Sequence, residues 1–262
     1  MFFLNSRKYC QGPVDTLCKV VIFCCASFSG GIIKEFKPLG HHLSDRYYKR
    51  CYQKFHAILL TEYQRVIIMD SDGLTQHNLD HLFYLPFPQG IKLAAPQGYW
   101  FDNDGFQMNP NDHCIGSDVS QRPPYYAVIT SILLLVEPNE ELYKTVEEYF
   151  GKWMMNGKGG KKTRQYFDMD IINQRLACNG EMMVLPKHYG TLNSEYLINQ
   201  KLSQKYSLCK DFKQVQYMHF SGLGKPWSHS LTNYEKKYEE SARPLIRTWF
   251  ELAHDTCPWI VK

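Results

Sequence analysis

Continuous apolar runs, without regular alternation of polar residues, are the main pattern along this chain. Runs of this kind are typical of strands that are covered on both faces. They predict strands at residues 18–25, 65–69, 91–95, 127–136, 182–185 and 215–220. Apolar residues at helical spacing predict helices over residues 44–60, 140–153 and 168–176. Because the strands alternate with helices, the pattern indicates an α/β layered sheet.

Composition narrows the classes of protein without selecting one. The chain has 262 residues, of which 44% are hydrophobic and 21% charged, and this excludes a disordered chain. A net charge of +4 is small for a surface that binds duplexes, so no nucleic-acid partner is expected. The nine cysteines include no Cys-x-x-Cys pair, which argues against a structural zinc site. The apolar run 20–28 is much shorter than the roughly 20 residues that span a bilayer, so no membrane anchor is visible.

Two carboxylates follow the apolar run 65–69 directly, at Asp70 and Asp72. Two carboxylates on one turn can converge on one hard divalent ion and leave coordination positions open for phosphate oxygens. An Asp-x-Asp pair is also common in solvated turns and helix caps. The end of a buried strand favours the metal site, because unpaired carboxylates would repel each other there.

A second segment, residues 219–227, reads His-Phe-Ser-Gly-Leu-Gly-Lys-Pro-Trp and begins at the end of a predicted strand. His219 is a possible metal ligand, Gly222 lets the backbone approach phosphates, and Lys225 can neutralise phosphate charge. A core histidine followed by a surface turn is the alternative for this segment taken alone. Ligands of α/β sheets collect at the carboxyl ends of strands, where Asp70, Asp72 and His219 are all expected.

Together, the two segments resemble the family 8 retaining glycosyltransferases, the glycogenin-like group with a GT-A fold. The family's order continues in LTEYQRVIIMDSDG, KLAAPQGYW, ITSILLLVEP, YFDMDIIN and LPKHYGTLNSEYL. Several of these segments resemble the fungal α-N-acetylglucosaminyltransferase branch, of glucose N-acetyltransferase type, more than glycogenin. The resemblance covers residues 48–227 and implies one GT-A domain, a Rossmann-like mixed sheet flanked by helices, over 1–262. Residues 1–43 match less cleanly, so a divergent or truncated N-terminal part is expected there.

The resemblance also implies a ligand set. Asp70, Asp72 and His219 would hold a divalent cation, typically Mn2+. Gly222 and Lys225 would bind the diphosphate of a UDP-sugar donor. The donor would pass its sugar to a glycan or another hydroxyl-bearing acceptor, with retention of the anomeric configuration.

Lys54 and Asp168 are the catalytic candidates that the resemblance implies, since both family positions lie near the donor sugar. The donor-binding candidates are Lys54, Asp70, Ser71, Asp72, Thr130, Ser131, Asp168, Met169, Gly222 and Lys225. Two departures concern the donor sugar: Thr130-Ser131-Ile132 replaces Asn-Ser/Ala-Gly, and Met169 replaces Gln. An apolar contact from Met169 suits the methyl of a 2-acetamido group, so UDP-GlcNAc ranks above UDP-glucose and UDP-galactose.

Two other classes of protein stay open at this point. One is a catalytically inactive GT-A-like domain that binds a sugar nucleotide as a partner protein. The other is a nucleotidyltransferase, which would not need the segment 219–227. The acceptor and the oligomeric state stay open, and so does the compartment. The resemblance implies the Golgi lumen, whereas a chain complete as given would be cytoplasmic.

Overall fold

Two compact units make up the fold. A computed structural model describes residues 2–3, 18–23, 31–36, 52–70, 72–98, 129–156, 168–198, 214–221 and 225–256. Unit 1 combines Met1–Ser71 with Asp80–Leu185, and unit 2 combines Asp72–Leu79 with Pro186–Lys262. The boundary between the units therefore passes through the Asp-x-Asp segment. A single GT-A domain over 1–262 stays a prediction.

Unit 1 contains a mixed five-stranded sheet in the order β1-β4-β7-β6-β8. Its strands are β1 (Phe2–Phe3), β4 (Val66–Met69), β6 (Leu93–Pro96), β7 (Leu133–Val136) and β8 (Met183–Leu185). A separate hairpin pairs β2 (Cys18–Phe23) with β3 (Gly31–Phe36). In the five-stranded sheet β7 runs antiparallel to both neighbours, whereas β1 with β4 and β6 with β8 are parallel. Every residue of β4, β6 and β7 is buried, which explains their continuous apolar sequence.

The described helices of unit 1 include two α-helices, α1 (Glu140–Asn156) and α2 (Asp168–Arg175). Three 3-10 helices accompany them, at Tyr52–Leu59, Asp80–Tyr84 and Ala177–Asn179. Asn139 caps α1 by accepting a hydrogen bond from the Leu142 backbone N at 3.0 Å, and two glutamates occupy the first turn. Buried residues of these helices and of the central strands form one apolar core.

Unit 2 contains a three-stranded sheet in the order β5-β10-β9. Its strands are β5 (Gly73–Thr75), β9 (Thr191–Leu192) and β10 (Tyr217–His219). The helices described in this unit are α3 (Leu231–Glu235), α4 (Arg243–Thr256) and the 3-10 helices Lys187–Tyr189, Asn193–Tyr196, Pro226–Ser228 and Glu240–Ala242. β5 and β10 are antiparallel, with His219 opposite Gly73. A second apolar core contains the buried face of α4.

Most predicted elements are confirmed where the structure describes them, with three differences. The predicted helix 44–60 is a 3-10 helix over Tyr52–Leu59, and residues 44–51 lie outside the described part. Of the predicted strand 127–136, residues 127–128 lie outside the described part, and the described remainder is regular strand only over Leu133–Val136. The strand that ends at His219 belongs to the three-stranded sheet and not to the five-stranded one. Within the described ranges, no helix has both the length and the apolar character needed to cross a membrane.

Candidate functional site

Four predicted site residues of unit 1 meet around one buried ammonium group. Lys54 Nζ lies 2.5 Å from Asp70 Oδ1 and 2.7 Å from Asp168 Oδ2. It also donates a hydrogen bond to the Ser131 carbonyl at 3.0 Å. The Ser131 hydroxyl donates in turn to Asp168 Oδ2 at 2.7 Å. We call these four residues the Lys54 cluster.

The members of the Lys54 cluster come from four separate segments of chain. Lys54 lies on the 3-10 helix Tyr52–Leu59, and Asp70 directly follows β4. Ser131 lies in the bend before β7, and Asp168 is the first residue of α2. The strand ends therefore bring together side chains that are distant in sequence, as expected for an α/β fold.

The electrostatics of the Lys54 cluster keep the ammonium group charged. Burial alone would lower the pKa of Lys54, but the charges of Asp168 and Asp70 outweigh burial and raise the pKa above its usual range. One ammonium then faces two carboxylates, so the cluster retains an excess of negative charge. Such a site can stabilise positive charge that develops on a bound sugar.

Three predicted site residues meet in unit 2, and we call them the His219 cluster. His219 Nε2 lies 3.0 Å from Asp72 Oδ1, and Lys225 Nζ lies 2.6 Å from Asp72 Oδ2. Lys225 also donates to the Phe220 carbonyl. The Phe220 backbone N donates to the Asp72 carbonyl at 2.7 Å, which continues the pairing of β5 with β10. Backbone pairing thus fixes Asp72 beside the segment that carries the histidine.

Asp72 is held as a carboxylate by its neighbours. Burial alone would raise the pKa of Asp72, but the hydrogen bond and charge of His219, followed by those of Lys225, lower the pKa well below its usual range. Only 6% of Asp72 is exposed. A buried carboxylate with this anionic character is a strong ligand for a cation.

A close backbone approach beside Asp72 requires glycine at position 73. A Cβ on Gly73 would lie 2.6 Å from the Met218 carbonyl and would overlap the Tyr217 ring. No side chain fits between β5 and β10 at this point, so the glycine permits the register that places Gly73 opposite His219.

The side chains present fit a divalent cation. Asp72 and His219 offer a carboxylate oxygen and an imidazole nitrogen, both within unit 2. Asp70 precedes Asp72 by two residues, so the Cα atoms of the two aspartates lie within about 7 Å of each other. Two carboxylates and one imidazole suit Mn2+ and similar ions, and these three residues are possible ligands.

The structure does not describe every predicted site residue. Ser71 and Gly222 lie outside the described residues. Thr130 is buried, and its hydroxyl is 3.4 Å from the backbone N of Ile132. Met169 is partly buried in the first turn of α2.

Asn173 is a site-supporting residue that our sequence reasoning missed. Its Nδ2 donates to the Ile129 carbonyl and the Met169 carbonyl, both at 2.9 Å, and its Oδ1 accepts from the Ile129 backbone N at 2.9 Å. The side chain is 1% exposed. It therefore attaches the segment before Ser131 to the helix that begins with Asp168. The available signal was an amide directly after two isoleucines in FDMDIIN.

Asn193 has a similar position in unit 2 and was also missed. It is fully buried, and its Nδ2 donates to the Tyr238 hydroxyl at 2.7 Å. The Ser221 hydroxyl lies 3.4 Å from Asn193 Oδ1. Asn193 thus connects the apolar core of unit 2 to the segment that follows His219.

The fold is similar to that of known glycosyltransferases. The crystal structure of galactosyltransferase LgtC, in complex with donor and acceptor sugar analogues, aligns with a TM-score of 0.52 at 16% identity. That alignment covers 83% of this chain and 70% of LgtC. The GT-A fold predicted from the sequence is thereby confirmed.

Relatives by sequence are fungal and plant proteins. Glucose N-acetyltransferase 1 of Candida albicans is 23% identical over 71% of this chain and 56% of its own length. The protein of that name from Aspergillus fumigatus is 27% identical over 64% of this chain and 39% of its own. Galactinol synthase 6 of Arabidopsis thaliana is 23% identical over 87% of this chain and 66% of its own.

These matches confirm the predicted resemblance to the fungal branch. The chain spans about half or less of the length of the fungal relatives that it matches. The model of glycosyl transferase family 8 matches residues 14–230 and so reaches well into the segment 1–43, where the motifs matched less cleanly. Because this match covers far more than half of the sequence, the chain belongs to glycosyl transferase family 8.

Proposed function

We propose that this glycosyltransferase is metal-dependent and moves a sugar, preferably GlcNAc, from a UDP-sugar to a hydroxyl of a glycan or similar acceptor. The His219 cluster carries the proposal. It places the imidazole of His219 at 3.0 Å and the ammonium of Lys225 at 2.6 Å from the two oxygens of the buried Asp72 carboxylate. A cation site beside a lysine is what a diphosphate leaving group requires.

In this proposal Asp70, Asp72 and His219 hold the cation, and Lys225 binds the diphosphate. When bound, a divalent cation such as Mn2+ would neutralise charge on the diphosphate. Lys225 adds a second positive charge at an oxygen of the departing UDP. Stabilisation of this leaving group removes the need for a general acid.

Asp168 is best suited to orient the sugar and stabilise its charge. Its Oδ2 already accepts hydrogen bonds from Ser131 and from Lys54. A carboxylate oxygen engaged by two donors is a weak nucleophile, whereas its charge still acts on a nearby oxocarbenium ion. Lys54 holds Asp168 in place through the contact with Oδ2 at 2.7 Å.

Attack on the same face of the sugar is consistent with this set of residues. The acceptor oxygen forms the new bond to C1 while the bond from C1 to the UDP oxygen breaks. A phosphate oxygen of the departing UDP takes the acceptor proton, so no separate base is needed. An α-linked donor would then give an α-linked product. A small H1–H2 coupling in the proton NMR spectrum of a gluco-configured product supports this, and a large coupling would contradict it.

Donor preference rests on Met169 and its neighbours. Met169 is partly buried in the first turn of α2, directly after Asp168. A thioether offers the acetamido methyl an apolar contact but cannot replace the hydrogen bonds of a glutamine to sugar hydroxyls. UDP-GlcNAc is therefore expected to turn over faster than UDP-glucose. Faster turnover of UDP-glucose in the same assay would reverse the ranking.

The decisive experiment measures UDP release from UDP-GlcNAc, UDP-glucose and UDP-galactose, with and without Mn2+. Asp72→Asn removes one anionic ligand and should abolish Mn2+-dependent UDP binding and turnover. Asp80→Asn is the matched control, because Asp80 is an exposed aspartate in another segment. It should leave both measurements unchanged.

Three outcomes separate the possibilities. Turnover that needs Mn2+ and is lost in Asp72→Asn supports the proposal. Metal-dependent UDP binding without turnover of any donor would favour an inactive sugar-nucleotide-binding partner. UDP binding that persists in Asp72→Asn would refute the assignment of the site.

A further inference from the structure

We infer that Lys54 and Lys225 act as internal counter-ions of the metal-binding carboxylates, and that each lysine opposes metal binding until a diphosphate draws it away. This inference rests on the proposed function. It concerns the state of the protein before the donor binds, and it goes beyond the assignment of Lys225 to the diphosphate.

The first observation is in unit 2. Lys225 Nζ contacts Asp72 Oδ2 at 2.6 Å, on the carboxylate that also contacts His219 through Oδ1. Both oxygens of Asp72 are therefore engaged by protein groups. A cation that binds Asp72 must displace the ammonium or share the carboxylate with a like charge nearby.

The second observation is independent and lies in unit 1. Lys54 Nζ contacts Asp70 Oδ1 at 2.5 Å, and only 7% of the lysine is exposed. Each carboxylate of the Asp-x-Asp segment thus has its own lysine, although the two lysines lie 171 positions apart (225 − 54). Each of these two carboxylates has a positive charge beside it in the absence of a cation, although Lys54 shares its charge with Asp168.

The pairing lets Asp72 stay buried and Asp70 stay partly buried without metal. An uncompensated buried carboxylate is costly, so the lysines stabilise the free protein. In the proposed function, the diphosphate beside the cation offers these lysines an alternative anionic partner. When UDP arrives, its negative charges compete for the ammonium groups and expose the carboxylates to the cation. Metal and UDP binding should consequently be coupled, each raising the affinity for the other by the same factor.

The test measures the affinity of the full chain for Mn2+ alone, by the loss of the free-ion signal in electron paramagnetic resonance. Lys225→Gln removes the ammonium but keeps a long polar side chain. We expect it to bind Mn2+ about fivefold to tenfold more tightly than the wild type without UDP, because a neighbouring positive charge is lost. The same variant should bind UDP more weakly at fixed Mn2+, so the coupling between the two ligands falls.

Lys92→Gln is the matched control. Lys92 pairs with Glu137 at 2.9 Å, but it is 46% exposed and belongs to no candidate site. Its substitution should change neither affinity. Lys54→Gln is a second test variant. Because it leaves the carboxylates of Asp70 and Asp168 without their shared ammonium, its affinity for Mn2+ is interpreted only if its circular dichroism spectrum matches that of the wild type.

The outcomes distinguish this inference from the proposed function. A wild type that binds neither Mn2+ nor UDP would overturn both. A wild type that binds both, together with a Lys225→Gln variant whose affinity for Mn2+ alone is unchanged or lower, would overturn only the counter-ion inference. Opposite changes in the affinities for Mn2+ alone and for UDP, seen in Lys225→Gln and not in Lys92→Gln, would support it.

Discussion

Substitution of Asn173 by alanine should destabilise unit 1 strongly, although Asn173 is expected to contact no ligand. The side chain makes three hydrogen bonds of 2.9 Å, two with the backbone of Ile129 and one with the Met169 carbonyl. Alanine removes all three and leaves buried backbone groups to find other partners. At about 1 kcal/mol for each bond, with a further penalty for unsatisfied groups, the loss is about 3 to 5 kcal/mol.

The assay is urea denaturation of the full chain, followed by far-UV circular dichroism, with the free energy of unfolding taken from the midpoint and slope. Asn179→Ala is the matched control. Asn179 is exposed, and its Nδ2 makes one hydrogen bond of 2.7 Å, to the Arg175 carbonyl. Its loss should cost less than about 1 kcal/mol. Asn173→Asp is a second test variant. It keeps the oxygen that accepts from the Ile129 backbone N, but it replaces the amide donor by an oxygen that faces the carbonyls of Ile129 and Met169.

A loss below about 1 kcal/mol in Asn173→Ala, or no larger than in Asn179→Ala, would refute the argument that these bonds hold Ile129 in place. Activity provides a second measurement. Because Ile129 leads to Thr130 and Ser131, a surviving folded fraction should show a lower kcat/KM for the donor. An unchanged kcat/KM in that fraction would show that residues 129–131 keep their position without the Asn173 amide.

Two further predictions concern unit 2. Burial raises the pKa of Glu195 to about 8, against the hydrogen bond that its carboxylate accepts from the Leu192 backbone N at 3.1 Å. The folded state therefore favours the protonated acid, and stability should fall as the pH rises from about 4.5 to about 8. Glu195→Gln keeps the hydrogen-bond acceptor and should reduce the difference in free energy of unfolding between pH 5 and pH 8.5, measured by urea denaturation. An unchanged difference would contradict the assignment of this pH dependence to Glu195. Gly73→Ala should lower the free energy of unfolding by about 1 to 3 kcal/mol and weaken metal-dependent UDP binding, because a Cβ cannot fit beside the Met218 carbonyl. If the variant keeps wild-type stability and UDP binding, the two strands separate easily and this reasoning is wrong.

The sequence predicted well those features that depend on continuous burial or on local order in the chain. Four apolar side chains follow Arg65, and these residues, Val66–Met69, form a fully buried strand. The position of Asp70 after that strand follows from the same run. Family motifs identified Lys54 and Asp168, and the structure brings both to one cluster with Asp70.

The sequence could not predict features that depend on contacts between distant residues. The run 127–136 is apolar enough for one long strand. However, the side chain of Asn173 bonds to both the backbone N and the carbonyl of Ile129, and the Ser131 hydroxyl donates to Asp168. These tertiary hydrogen bonds outweigh the local preference for a strand. Apolar runs also do not state which sheet a strand joins, so the assignment of β10 to the three-stranded sheet was not foreseen.

The division of unit 2 into two stretches has a consequence for the order of events during synthesis. β5 pairs with β10, and Asp72 contacts His219 across 147 positions of the chain. At about 5 to 20 residues per second, a ribosome needs roughly 7 to 30 s to extend the chain from one residue to the other. β1 and β4 precede Asp72, and the other strands of the five-stranded sheet end before residue 186, so all of them are synthesised before this interval ends. A nascent chain halted before residue 217 would therefore contain every strand of that sheet and still leave Leu74 without the core of unit 2 against which it packs. We therefore expect the Asp-x-Asp segment and Leu74 to stay accessible to nascent-chain chaperones until β10 is available to pair with β5.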